Sequence, residues 1–255
     1  MFTPIARDAA SVRPTRAELH FHLLPGVDDG PRDLDESLEL ARLAVADGTR
    51  HVVCTPHVEV VDVATIPGRV RELAAALSAA RIALRIEAGS EIRAGSPLTD
   101  AELEIVAQGP RERRWVLLEA PLEHGKIDLF HAHAHELEGR GYGLLVGHPE
   151  RCAELMAAAG GLESLLRHGA LLQVNASSLT GAHGPPAREA GFGLVARGIV
   201  AAVASDAHGA HRPPLLQAAV RALAARGLDG GPLIEDGPWQ LLRYGIAASR
   251  DHPAA

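Results

Sequence analysis

The chain has 255 residues, 25 Lys and Arg against 32 Asp and Glu for a formal net charge of −7, 47% hydrophobic residues and 14 histidines. That apolar content excludes a disordered chain, and a mildly acidic sequence whose only lysine is Lys126 argues against a sequence-independent nucleic-acid binder. Cys54 and Cys152 cannot build a disulfide framework, no run of about 18 apolar residues is present, and the opening MFTPIARDAASVRPTR lacks a signal-peptide core, so a cytoplasmic chain without membrane insertion is expected.

Residues 1–16, rich in Pro, Arg and Ala without apolar periodicity, read as a poorly ordered lead-in, and 17–255 as one domain of the length that a single α/β barrel fills. A strand-like run at 18–21 leads into His20-Phe21-His22 and on to Asp28-Asp29-Gly30. Segment 35–47 is helical: Leu38, Leu40, Ala41, Ala44 and Val45 share one face, and Gly48 suits the turn that ends it. The second strand, 51–54, runs to Thr55-Pro56-His57 and is followed by a helix over 67–80. Strand 83–88 leads to Gly89-Ser90-Glu91; strand 115–119 ends in Glu119 and precedes a helix at 127–139. Strand 143–146 runs into Gly147-His148-Pro149-Glu150-Arg151, with a helix at 161–168. Strand 170–174 carries Gln173 and enters Asn175 before a helix at 186–197, and strand 200–204 opens onto Ser205-Asp206-Ala207-His208, with a helix at 214–227. These strand candidates, interleaved with helices, predict an α/β fold with a mainly parallel sheet, closed or nearly closed into a barrel. The Ala/Leu-rich stretch 237–248 packs either on its own barrel or on a neighbour.

The unusual polar residues fall just past the carboxyl ends of the strands, where barrels keep their chemistry. In extended backbone, residues two apart point the same way, so His20 pairs with His22 and Asp206 with His208. Imidazole and carboxylate together are ligands for Mn, Fe, Co or Zn. So many charged groups at one end would make a poor core unless cations paired them.

In order and spacing, His20-x-His22, Pro25-Gly26, Asp28-Asp29-Gly30, Glu36-Ser37, Thr55-Pro56-His57, Gly89-Ser90-Glu91, Glu119, His148-Pro149-Glu150-Arg151, Asn175 with Leu179-x-Gly181, and Ser205-Asp206-Ala207-His208 resemble the polymerase-and-histidinol-phosphatase (PHP) superfamily. Within it they are most similar to bacterial metal-dependent protein-tyrosine phosphatases of the CpsB/CapC type, found with capsule and exopolysaccharide clusters. The resemblance covers about residues 18–212 and implies a distorted seven-stranded, TIM-like (β/α) barrel. It implies three divalent metal ions, with manganese as the leading candidate and Fe, Co, Zn or Mg as alternatives. His20, His22, Glu91 and Asp206 would hold one ion; Glu91 would bridge to a second held by Glu119 and His148; Asp29, His57 and His208 would complete the third. Arg151, Asp206 and His208 would belong to the catalytic set, and Arg151, Arg212 and Asn175 would meet the substrate. Arg212 stands where the family has a further arginine, with Gly209 in place of the usual Asn. The implied partner is a phosphotyrosine protein, the tyrosine-rich tail of a polysaccharide-export kinase.

Three divalent ions carry about +6 against −4 from Asp29, Glu91, Glu119 and Asp206, so such a site attracts a phosphate dianion even on an acidic chain. A water activated between ions would attack phosphorus in line, with Arg151 stabilising the equatorial oxygens. A phenolate with a pKa of about 10 leaves with little protonation. The rival readings are a small-molecule phosphatase such as one for histidinol phosphate, a non-catalytic metal-binding regulatory module, and an amide hydrolase. The last is weakened because Lys126 lies away from any strand end.

Among the remaining residues, His131, His133 and His135 read as a solvated helix face, Asp28 as support for neighbouring ligands, Glu36 as a helix-start carboxylate and Trp115 as core. Gln173 and Asn175 suit either substrate contacts or donors to metal ligands. Neither cysteine opens a glycine-rich loop ending in Arg: TPHVEV follows Cys54 and AELMAA follows Cys152. The double variant Cys54→Ser/Cys152→Ser is therefore expected to keep its phosphatase turnover, and loss of activity in the folded double variant would overturn the metal-hydroxide mechanism.

Overall fold

A computed structural model describes residues 15–157 and 160–248. Among the described residues eight strands are present: β1 (Arg16–Phe21), β2 (Thr49–Cys54), β3 (Arg85–Ala88), β4 (Glu91–Arg93), β5 (Trp115–Glu119), β6 (Gly143–Gly147), β7 (Leu171–Asn175) and β8 (Val200–Ala204). The longer helices that cover them are α1 (Leu34–Ala46), α2 (Ile66–Ala79), α4 (Ile127–Gly139), α8 (Gly184–Ala196), α9 (Leu216–Ala224) and α11 (Asp236–Tyr244). The shorter ones are α3 (Asp100–Val106), α5 (Ala153–Ala157), α6 (Gly161–Arg167), α7 (Ala176–Thr180) and α10 (Gly231–Ile234). Residues 1–14 of the expected lead-in lie outside the described residues, and Arg16 already belongs to β1. Among the described residues no helix is long and apolar enough to cross a membrane.

The fold is α/β with the named strands paired in parallel, and eight strands in two sheets stand where seven in one barrel were expected. β1-β2-β3 make one sheet and β4-β5-β6-β7-β8 another. The cause is the third apolar run, which breaks at Gly89-Ser90. Gly89 N–H donates to the Cys54 carbonyl at 3.0 Å, and a Cβ there would stand 2.4 Å from Val53 Cγ1, so only glycine lets the chain turn this close to β2. Before the turn, β3 pairs with β2; after it, β4 pairs with β5. The two sheets meet at their carboxyl ends through the bridges His57–Glu91 and Phe21–Ala207, the latter flanked by Asp206 N–H donating to the His20 carbonyl (3.0 Å).

β5, β6 and β8 are buried along their whole length, as parallel strands covered on both faces must be. In β5 the period-two alternation sorts the core: Val116 and Leu118 pack under the helices, whereas Trp115 and Leu117 join Leu19, Val53, Leu145, Ala202, Leu241 and Ile246 in an inner cluster. Glu119 continues that inner row toward the carboxyl end. The stretch after residue 236 packs on its own sheets: Leu241 is in the inner cluster, and its carbonyl accepts from Trp115 Nε1 at 3.0 Å. α1 starts on Asp33, whose side chain accepts from Glu36 N at 3.0 Å. Its first turn is thereby fixed beside the loop that carries Asp28 and Asp29.

Trp115 is 1% exposed and closes the end opposite the polar rows, so Trp115→Ala is expected to cost about 3–5 kcal/mol of stability. Urea unfolding followed by circular dichroism reads this as a lower midpoint with unchanged slope.

Candidate metal centre

The carboxyl ends of the strands bring nine imidazole and carboxylate side chains into one cluster, seven of them buried, with His57 half-buried and Asp29 exposed at its edge. β1 supplies His20, the residue just past it His22, the loop after it Asp29, the turn after β2 His57, β4 Glu91, β5 Glu119, the turn after β6 His148, and the segment after β8 Asp206 and His208. Their donor atoms fall into four overlapping groups: His22, Asp29, His57 and His208; His20, His22 and Glu91; His20, His148 and Asp206; Glu91, Glu119 and His148. Glu91 Oε2 is the hub, 3.1 Å from His20 Nε2, 3.3 Å from His22 Nε2 and 3.3 Å from His57 Nδ1, while its Oε1 is 3.1 Å from His148 Nε2. Asp29 Oδ1 lies 3.2 Å from His208 Nε2 and 3.5 Å from His57 Nε2. Asp206 Oδ1 lies 3.4 Å from His20 Nε2.

The surrounding hydrogen bonds fix the ring tautomers. His20 Nδ1–H donates to Gln173 Oε1 (2.9 Å), His22 Nδ1–H to Asp28 Oδ2 (2.8 Å) and His208 Nδ1–H to the Asp206 carbonyl (3.0 Å). Each bond turns an Nε2 toward the cluster, the arrangement that orients metal-ligating histidines. His57 Nδ1, His148 Nδ1 and His208 Nε2 are buried without a hydrogen-bond partner although carboxylates crowd the cluster. Imidazole nitrogens that converge with carboxylates without well-formed hydrogen bonds fit a divalent cation of borderline character.

The electrostatics agree. Burial raises the Glu119 pKa and the charge of Glu91 raises it further. Glu91 is buried too, yet the charge of His20 and hydrogen bonds from His148, His20 and His22 hold its carboxyl well below the usual range. Burial favours neutral His22, but its bonds to Asp28 and Glu91 outweigh this and push its pKa up to about 10. Without a metal, protons supply the positive charge that the carboxylates demand, so cation binding releases them. His148 (φ 35°) and Asp206 (φ 49°) both adopt left-handed backbone, a strain of order 1–3 kcal/mol each that persists where the surroundings dictate it.

Arg151 and Arg212 stand on the rim and share one acceptor: their guanidinium groups donate to Asp206 Oδ2 at 3.3 Å and 2.7 Å. Asn175, expected to meet the substrate, is fully buried behind that carboxylate. Its Nδ2 donates to Asp206 Oδ2 (2.7 Å) and its Oδ1 accepts from Gln173 Nε2 (2.8 Å), so the carboxamide is spent on orienting Asp206. Asp28 takes His22 Nδ1–H, Gly30 N–H and His57 N–H and joins none of the donor groups. Glu18, missed in the sequence, accepts from Ser205 N at 2.8 Å and from its hydroxyl, steadying the strand end before Asp206; burial pushes its pKa up to about 8. Arg93 was missed as well and pairs with Glu119 at 3.3 Å and Glu59 at 3.0 Å. Its signal was its place two residues after Glu91, on the same strand face.

The family described as "Capsular polysaccharide synthesis, CpsB/CapC" matches residues 16–229. Tyrosine-protein phosphatase YwqE of Bacillus subtilis (strain 168) is 31% identical over 198 residues, 75% of this chain and 76% of that protein. Putative tyrosine-protein phosphatase CapC of Staphylococcus aureus is 29% identical over 206 residues, covering 78% and 79% of the two chains. Among solved structures, one from work on YwqE of Bacillus subtilis and CpsB of Streptococcus pneumoniae, described as unique metal-dependent tyrosine phosphatases, superposes with a TM-score of 0.71 at 26% identity, covering 93% of this chain and 100% of that one. The lactonase Lmo2620 of Listeria monocytogenes, at 14% identity and a TM-score of 0.57, covers 90% of this chain and 95% of its own and shares the fold.

Because Gln173 holds both His20 and Asn175, Gln173→Ala is expected to weaken divalent-cation binding about 10–100-fold while leaving the fold intact. Equilibrium dialysis against Mn²⁺ measures it, and unchanged affinity would show that the relay to His20 and Asp206 is idle.

Proposed function

The chain belongs to the capsular polysaccharide synthesis CpsB/CapC family, and from that membership we propose that it is a metal-dependent protein-tyrosine phosphatase acting on a polysaccharide-export tyrosine kinase in the cytoplasm. The observation that carries the reading is the donor cluster itself, with three Nε2 atoms turned inward by Gln173, Asp28 and the Asp206 carbonyl. In this reading the catalytic unit is residues 17–255 and holds three divalent ions, manganese foremost. By the family resemblance, His20, His22, Glu91 and Asp206 would hold one, Glu91, Glu119 and His148 the second, and Asp29, His57 and His208 the third.

When bound, the ions supply a water acidified toward neutral pH and positive charge on the phosphoryl oxygens. The chain's own residues do the rest. Arg151 and Arg212, partly exposed on the rim, turn free N–H groups to the equatorial oxygens, while their bonds to Asp206 Oδ2 keep both forks preorganised. Asn175 and Gln173 hold Asp206 and His20 in place as charge shifts. Cys54 is fully buried, and burial pushes its thiol up, away from nucleophilic use. A residue presented on a peptide suits the entrance. Clefts of about 470 Å³, lined by Asp29, Arg32, Glu36 and His208, and about 190 Å³, lined by Arg93, Glu119, Leu122 and Leu129, flank the centre and leave room for chain on either side of it.

The test is phosphate release from a phosphotyrosyl peptide and, in parallel, from histidinol phosphate by chelator-stripped protein reconstituted with Mn²⁺. Selective turnover of the peptide is expected, falling about 100-fold in kcat/KM for Arg151→Ala. Preference for histidinol phosphate would move the protein to small-molecule metabolism, and no turnover of either would favour a binding module.

A further inference from the structure

A second cluster of metal-type donors stands apart from this centre, where α4 and α6 end. His135 and Glu138 are three apart on α4, so they share a face, and His168 caps the C-terminus of α6. His135 Nδ1 lies 3.5 Å and His168 Nδ1 3.8 Å from the same oxygen, Glu138 Oε2, and the three donor atoms all fall within 4.8 Å of one another. Those two separations are too long for good hydrogen bonds. They are close to the spacing of ligands around one ion: bond lengths of about 2.0–2.2 Å in tetrahedral geometry set donors about 3.4 Å apart. The two imidazole rings meet edge-on at 5.1 Å between centroids, leaving both Nδ1 atoms turned to the carboxylate.

The helix ends add negative potential beside the donors. α4 ends at Gly139 and α6 at Arg167, so two helix C-termini, each with partial negative charge, converge beside a carboxylate that is only 9% exposed. The histidines stand toward solvent, with side-chain exposures of 52% for His135 and 26% for His168, leaving access for water as a fourth ligand. His133, the other histidine of this helix turn, is not on the solvated face expected for it: it is buried and accepts from Gly95 N–H at 3.1 Å. We propose that His135, Glu138 and His168 form a peripheral site for a transition-metal dication, best matched to Zn²⁺. Two imidazoles select a borderline ion over Ca²⁺ or Mg²⁺. Because the chain enters β6 just after α4 and β7 just after α6, the ion pins the two helices together at the end of the sheet opposite the first cluster.

The experiment counts Zn²⁺ per chain by elemental analysis after dialysis of the Mn²⁺-loaded protein against excess Zn²⁺. Any exchange at the first cluster is common to all variants. His135→Ala, at a half-exposed position, is expected to hold one Zn²⁺ fewer than the unmodified chain with Mn²⁺-dependent hydrolysis unchanged, whereas His168→Cys, which restores a ligand, keeps the full count. Zn²⁺ at about a hundredfold over its Kd should also raise the unmodified chain's Tm by about 5 °C more than that of His135→Ala. Equal Zn²⁺ counts in the unmodified chain and His135→Ala would overturn the proposal.

Discussion

Glu91 is a buried carboxylate ringed by His20, His22, His57 and His148, with Glu119 and Asp206 close behind, and no such crowd of like charges stays buried without positive charge among them. Much of the architecture serves to bring those groups to one point. The break at Gly89 takes the chain from β3 to β4 and sets Glu91 opposite His57. The left-handed turns at His148 and Asp206 bend two strand ends inward at a cost that the surrounding bonds offset. Behind them Gln173, Asn175, Glu18 and Asp28 hold ring planes and carboxyl groups from outside the cluster. These residues separate a reactive geometry from a mere concentration of ligands.

The rim is built differently. Arg151 and Arg212 converge on Asp206 from turns of the chain that start at different strands, and both keep part of their guanidinium toward solvent. The doubly shared carboxylate holds both arginines at the edge of the cluster. The same Asp206 therefore faces two ways, one oxygen to the histidines and the other to the arginines.

The gathering of these donors was legible because strand-end chemistry is written locally: a few polar residues after each apolar run, two apart where both must face inward. His20 with His22 and Asp206 with His208 are of this kind. The break between β3 and β4 was not legible, because Gly89 looks like any turn glycine until Val53 is seen against it. The sequence position of Asn175 suits either a substrate contact or a donor to a ligand, and only the approach of Asp206 from the neighbouring strand shows its amide bonded to that carboxylate. His133 was misjudged because the partner that draws it inward, Gly95, comes from a distant loop. The grouping of Glu138 with His168 joins two helices through space, and no local pattern announces such a pair.

The division of the strands into two sheets has a thermodynamic consequence. His20, His22, Asp29 and His57 come from the first sheet and its loops; Glu91, Glu119, His148, Asp206 and His208 come from the second; three of the four donor groups draw on both. A cation shared by these groups would cross-link two sheets that also meet through the inner apolar cluster and the backbone bonds at these ends, and its free concentration would enter the folding equilibrium by mass action. Scarcity of such a cation would then lower the stability of the fold as well as slow the chemistry.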